Sequence, residues 1–385
     1  MNFFQNILTK IFPPFVPISP GIFHYQAPPD ADFPYRLHLR VEANGEGILI
    51  VNASTVLHLN QTATEYAYYL TNNKPETEVA KLVKNRYQIP GIQALEDYKN
   101  FVEKLEILIN TPDLDPITYL DFERQEPYSA QSMIPYRLDC ALTYKTIENN
   151  SDHEVAPNGR VKRELLTEEW KSILDKSWDY GIPHIIFTGG EPTLRPDLIE
   201  LIAHAEKNGQ VTGLLTNGLR LSEPEFLNQL LINGLDHVMI IFDPNEEQAW
   251  EALRDLLAAD IFVTIHITLT ENNILDFPGL LDQFKEMGLH SISLSTTDDR
   301  LKPKIMDVQQ RIANKDIDLI WDLPVPYSNS NPVAFELEES GEIVKGAGKA
   351  WMYVEPDGDV LEAQGMPQVL GNLLVNSWQD IIKSV

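Results

Sequence analysis

The chain has very little sulfur: its 385 residues include one cysteine, Cys140. A lone thiol excludes a disulfide framework and gives no argument for an oxidising compartment. It also excludes any metal centre that needs several thiolates from this chain. Basic residues are scarce as well, with 30 Lys and Arg against 57 Asp and Glu and a formal net charge of −27. Such a surface repels a phosphate backbone, so no nucleic-acid partner is expected. A neutral or basic partner is easier to accommodate. Long apolar runs are missing too, and nothing approaches the ~20 apolar residues of a membrane span. The opening MNFFQNILTKIFPPFVPISP breaks at Lys10 and Pro13-Pro14, without a basic start or a small-residue cleavage site. It does not read as a signal peptide and is expected to dock on the body of the protein. Cytoplasm is the default location. The 43% hydrophobic content is that of a globular protein.

Organisation along the chain follows from periodicity. Alternating runs at Arg36–Val41, Gly47–Val51 and Thr55–Leu59 predict three strands, the first turn marked by Asn44-Gly45. Asn60 is placed to cap a helix starting at Gln61, and helices follow over Pro75–Tyr87 and Ile92–Ile109. Strands followed by helices predict an α+β, winged-helix-like domain over 1–112. Residues 113–135 read as a linker, rich in Pro, Asp and Ser.

From 136 to 323 strands and helices alternate. Apolar runs lie at Leu138–Thr143, His184–Thr188, Val211–Thr216, His237–Phe242, Phe262–Leu269 and His290–Leu294, with Ile317–Leu323 a further candidate. Amphipathic stretches separate them. This is the pattern of an α/β fold with a helix-covered parallel sheet, and about six units predict a partial (β/α)6 barrel. Residues 324–385 hold an irregular connector, a hairpin around Pro356-Asp357-Gly358 and a last helix at Ser377–Lys383, a small C-terminal extension.

In such a sheet function collects beyond the C-terminal strand ends. Those ends read Thr188-Gly189-Gly190-Glu191-Pro192, Thr216-Asn217-Gly218, Phe242-Asp243-Pro244, Thr270-Glu271-Asn272 and Ser295-Thr296-Thr297. Glycine beside a strand end lets a ligand approach the backbone, and Glu191 is a charged acceptor for an ammonium group. Glu191 and Asp243 are the acid–base candidates. Asp152-His153-Glu154 is read as a solvated loop, because adjacent residues rarely converge on one ion.

With Gly189-Gly190-Glu191-Pro192 after the second strand, the stretch from Pro135 to Leu323 resembles the radical S-adenosylmethionine (SAM) family. The resemblance implies a cofactor pocket built from Gly189, Gly190, Glu191, Pro192, Thr216, Asn217 and Asp243. In that family the loop after the first strand carries Cys-x3-Cys-x2-Cys, whose thiolates hold a four-iron, four-sulfur cluster. Aligned after Lys145, the motif falls on Thr146, Asn150 and His153; aligned on Cys140, it falls on Cys140, Tyr144 and Ile147. Neither register supplies three thiolates, so no iron–sulfur cluster is expected. Cys140, inside an apolar strand, is expected to be an inert core residue.

Residues 345–382 resemble the SPASM or twitch-type auxiliary-cluster extension. Its cysteine positions fall on Lys345 and Ala363, while Pro356-Asp357-Gly358-Asp359 and Gly371-Asn372 persist. Residues 36–110 resemble the PqqD-like peptide-recognition domain through Leu59-Asn60-x-Thr62-Ala63, Thr77-Glu78-Val79-Ala80 and Tyr87. That likeness implies a peptide or protein partner added as a strand, although Asn60 and Thr62 also suit a purely capping role. Together these readings point to a pseudoenzyme that binds a peptide or a catalytic partner without chemistry of its own. Two alternatives stay open. The Gly-Gly-Glu-Pro pocket still takes S-adenosylmethionine for polar chemistry or sensing, or a partner's cysteines complete the cluster of an active radical peptide-modifying enzyme.

Overall fold

The computed structural model describes residues 18–28, 35–53, 55–111, 134–146, 161–259, 261–296, 299–315, 317–319 and 346–384. The chain divides into two compact units, 1–130 and 131–385.

The first unit holds a four-stranded antiparallel sheet of β1 (Gly21–Gln26), β2 (Arg36–Val41), β3 (Gly47–Val51) and β4 (Thr55–Leu59), in that order. Three helices follow: α1 (Gln61–Thr71), α2 (Glu76–Tyr87) and α3 (Gly91–Asn110). Alternate residues Leu37, Leu39, Leu49 and Leu57 face the helices and share a core with Val79, Val83, Phe101 and Leu105. The Asn60 side chain accepts from the backbone N–H of Thr62 (3.1 Å) and Ala63 (2.9 Å), capping α1. The buried Glu65 carboxylate clamps α1 to α2, accepting from Tyr69 Oη (2.6 Å) and Tyr87 Oη (3.0 Å), with Arg86 Nη1 at 3.1 Å. Strand β1 is an addition to the three expected. It joins β2 across a proline-bearing connection, which carries no hairpin signal.

The second unit is built on one ten-stranded sheet. Its strands are β5 (Arg137–Thr143), β6 (His184–Gly189), β7 (Val211–Thr216), β8 (His237–Ile241), β9 (Phe262–Leu269), β10 (Ser291–Thr296), β11 (Asp318–Leu319), β12 (Trp351–Val354), β13 (Asp359–Leu361) and β14 (Gly371–Asn372). Their spatial order is β11-β10-β9-β8-β7-β6-β5-β12-β13-β14. All pairs from β11 to β12 are parallel. The helices are α4 (Thr167–Tyr180), α5 (Leu198–Asn208), α6 (Pro224–Ile232), α7 (Glu247–Ala258), α8 (Phe277–Glu286), α9 (Lys302–Ala313) and α10 (Trp378–Ile382). This is the partial-barrel α/β architecture that the alternation predicts. The tail continues the barrel sheet: β12 lies parallel to β5, with Trp351 opposite Arg137 and Val354 opposite Cys140. Helix α9 is an addition to the expected stretches, and Pro303 occupies its first turn, where proline is tolerated.

Alternation sorts the strands into two faces. Leu138, Cys140, Leu142, Ile185 and Phe187 pack with helix residues such as Trp170, Ile173 and Leu201. Ile186, Leu215 and Met239 form a small apolar cluster of their own. Towards the N-terminal strand ends His184 Nε2 and His237 Nε2 meet at 2.7 Å across β7. Gly213 makes room for them, since a Cβ there would lie 2.1 Å from the His237 ring. Burial holds both imidazoles neutral, with the His237 pKa lowered to about 4.

Candidate functional site

The C-terminal strand ends bring most of the expected residues together, and their geometry shows what holds them. Gly189 adopts φ +126°, and a Cβ on it would lie 2.1 Å from Thr143 O. On Gly190 a Cβ would lie 2.3 Å from Lys145 O. The backbone that comes close to these glycines is therefore the exit of β5. Gly190 N–H donates to Thr143 O (2.7 Å) and Glu191 N–H to Lys145 O (2.7 Å). The Thr143 hydroxyl donates in turn to Glu164. Arg195 Nη1 donates to the carbonyls of Leu142 (3.1 Å) and Leu165 (3.0 Å), while its fork grips Asp197 at 2.7–2.8 Å.

The Glu191 carboxylate is 2% exposed and well supplied with donors. Its Oε1 accepts from Thr193 N (2.9 Å), Thr193 Oγ1 (2.5 Å) and Thr216 Oγ1 (2.8 Å), and its Oε2 accepts from Asn217 N (2.8 Å). Burial pushes its carboxyl above the ordinary carboxylate range, while the hydrogen bonds from Thr193, Asn217 and Thr216 pull it back. Glu191 thus ties the exit of β6 to the exit of β7. Pro192 opens the 3-10 turn that Glu191 caps. Asn217 is half-buried and accepts from Leu219 N (3.0 Å). Asp243 is exposed and caps its own turn, accepting from the backbone and side-chain nitrogens of Asn245 at 2.9 Å. Thr188, fully buried at the end of β6, has a hydroxyl with no hydrogen-bond partner among the described residues.

Of the degenerate cluster positions, Thr146 follows β5 and is half-buried, whereas Asn150 and His153 lie outside the described residues. In the other register Cys140 is 0% exposed in the helix-facing core, and burial together with Asp139 pushes its thiol pKa up. Tyr144 donates to Glu355 Oε1 (3.1 Å), and Ile147 lies outside the described residues. An iron–sulfur cluster needs several thiolates, and a buried neutral thiol with hydroxyl, amide and imidazole neighbours in sequence is not that donor set. In the tail, Ala363 is buried and Lys345 lies outside the described residues. The persistent turn residues have structural work: Asn372 Nδ2 donates to Asp357 O (3.0 Å) and Asp359 Oδ1 (2.8 Å), and Leu373 N–H to Gly358 O (2.9 Å).

One group at this end escaped sequence reasoning. His266, in the middle of β9, is 1% exposed and lies between two serines of β10. Its Nδ1 is 2.9 Å from Ser293 Oγ and its Nε2 2.9 Å from Ser295 Oγ. Period-2 alternation through Phe262–Leu269 places His266 on the face of Thr264 and Thr268, away from Val263, Ile265 and Ile267, and that was the available signal.

Comparison with known proteins bears on the fold. Residues 140–247 match the Radical SAM superfamily. A PqqA peptide cyclase of Streptomyces rochei is 33% identical over 151 residues, which are 36% of this chain and 41% of that protein. A second, from Bradyrhizobium diazoefficiens, is 43% identical over 88 residues, 23% of each chain. The chain thus spans less than half the length of the curated relatives it matches. Among solved structures, SuiB of Streptococcus suis bound to S-adenosylmethionine aligns over 93% of this chain and 88% of its own, with a TM-score of 0.56 and 15% identity. The segment 140–247 is therefore radical-SAM-like in sequence, on a fold like that of SuiB.

Proposed function

We propose that this chain is a radical-SAM-type protein that binds a peptide or a partner protein and has no radical chemistry of its own. The observation that carries the reading is the burial of Cys140, the chain's single cysteine, in the helix-facing core. Threonine, asparagine and one histidine are poor substitutes for three thiolates at a soft site. Without a cluster there is no one-electron donor to cleave a sulfonium.

The peptide side of the reading rests on the first unit. Among the described residues strand β4 has β3 as its single neighbour in the sheet order, and an edge of that kind accepts an added strand. The names of the relatives support it: SuiB has been crystallised with its precursor peptide SuiA, and the matched cyclases are named for the PqqA peptide. A second reading, retained binding of S-adenosylmethionine, is favoured by the buried hydroxyl of Thr188 beside Gly189, which has no hydrogen-bond partner among the described residues. Loss of the cluster leaves the methionyl amino and carboxylate groups without their chelator, so weak binding is expected at most.

Two measurements on the full chain test the proposal. Incubation with S-adenosylmethionine and dithionite, without oxygen, is expected to release no 5′-deoxyadenosine. The immobilised chain is expected to retain a neutral or basic peptide. Release of the nucleoside would overturn the first part, and failure to retain any such peptide the second.

A further inference from the structure

We propose that Ser295 is an activated hydroxyl, with His266 as its base and Ser293 as the group that orients the base, and that it accepts the acyl group of a carboxylic ester. This goes beyond the peptide-binding reading and requires neither a cluster nor a peptide.

The arrangement has the nucleophile, the base and the orienting group of an activated serine. Ser295 Oγ lies 2.9 Å from His266 Nε2, and His266 Nδ1 lies 2.9 Å from Ser293 Oγ. Strand register fixes these contacts: His266 stands opposite Ser293, and Ser295 lies opposite Thr268, whose hydroxyl is 3.2 Å away. A neutral imidazole with its proton on Nδ1 donates to Ser293 and leaves the Nε2 lone pair to accept from Ser295. Burial keeps the ring neutral at rest, and it takes up the serine proton only as the carbonyl is attacked. Exposure is graded in the useful direction. His266 and Ser293 are buried at 1% and 6%, whereas Ser295 is half-buried near the C-terminal end of β10, where ligands approach such sheets. Two residues back along the same strands, the Thr264–Ser291 pair is also hydrogen bonded (2.8 Å), but both members are buried and no imidazole joins them.

In the proposed step Ser295 Oγ attacks the ester carbonyl carbon and its proton passes to His266 Nε2. The carbon–oxygen bond to the alcohol breaks, and the imidazolium returns the proton to the departing alkoxide. Water then repeats the sequence on the acyl-serine, releasing the acid and restoring the hydroxyl.

The test uses the full chain and a fluorophosphonate–biotin probe, with p-nitrophenyl acetate as a turnover substrate. Native protein is expected to take up one label, mapped to Ser295 by peptide mass spectrometry. Ser295→Ala abolishes it, and His266→Gln slows it by about 100-fold or more, the usual scale of general-base assistance. Ser291→Ala leaves the rate unchanged. Mapping the label in the unmodified protein requires no variant to fold. Absence of labelling above that of heat-unfolded protein, a label at another residue, or wild-type labelling by a folded His266→Gln protein would overturn the assignment.

Discussion

Replacing Gly190 by alanine is expected to destabilise the second unit by about 3 kcal/mol, and the reason separates two accounts of the Gly-Gly-Glu turn. The new Cβ would sit 2.3 Å from Lys145 O and 2.8 Å from the carbonyl carbons of Lys145 and Tyr144. These are backbone atoms and cannot swing aside. Relief requires the loop to part from the β5 exit, which breaks the bonds from Gly190 N to Thr143 O and from Glu191 N to Lys145 O, both 2.7 Å. Two such bonds at about 1 kcal/mol each, with about 1 kcal/mol of residual overpacking strain, give the total. For a unit of this size each kcal/mol moves the melting temperature by about 2–4 °C, so a fall of about 6–12 °C is expected by scanning calorimetry. Gly279→Ala in α8, where an added Cβ has nothing within 4 Å, is the control. It is expected to hold or raise the melting temperature, by up to about 1 kcal/mol in stability. If Gly190 served ligand approach alone, Gly190→Ala would melt with the parent protein, and that result would refute the internal-brace account.

Further outcomes follow from the same geometry. Glu191→Gln turns one carboxylate oxygen into a donor that faces either Asn217 N or the Thr193 and Thr216 donors, and is expected to lower the urea midpoint by the equivalent of about 1–3 kcal/mol. Acidification is expected to destabilise the fold from pH 6.5 downwards. His237 and His266 have folded pKa values lowered to about 4 and about 3, so the unfolded chain binds more protons below 6.5. Between pH 7.5 and 5 the two together remove about 4 kcal/mol, a loss readable in urea midpoints and absent if both rings are solvated. Cys140 is expected to react with a thiol reagent only at the rate of global unfolding; rapid labelling of native protein would contradict its placement in the core.

Much of the fold was legible because strands and helices of the second unit carry clean periods. The strand ends could be read off, and so could the gathering of Gly189, Gly190, Glu191, Thr216 and Asn217 at one place. What those residues touch could not. Glu191 and the two glycines look like a ligand cradle in sequence, yet their nearest partners, Thr143, Lys145, Thr193 and Thr216, come from their own turn and the neighbouring strand ends. His266 was hidden because a single polar residue within a strand-like run reads as a satisfied core position, and its two serines lie 27 and 29 residues away. Strand β1 and the pairing of β12 with β5 are long-range events that leave no local mark. The burial of Cys140 was legible, since odd and even positions of β5 alternate between helix-facing Leu138, Cys140 and Leu142 and the opposite face.

The most direct test of the central claim is the iron and acid-labile sulfide content of the full chain after reconstitution without oxygen. The account predicts far less than one iron per chain after desalting, with no cluster absorption. Four irons and four sulfides per chain, held by the isolated polypeptide, would contradict it.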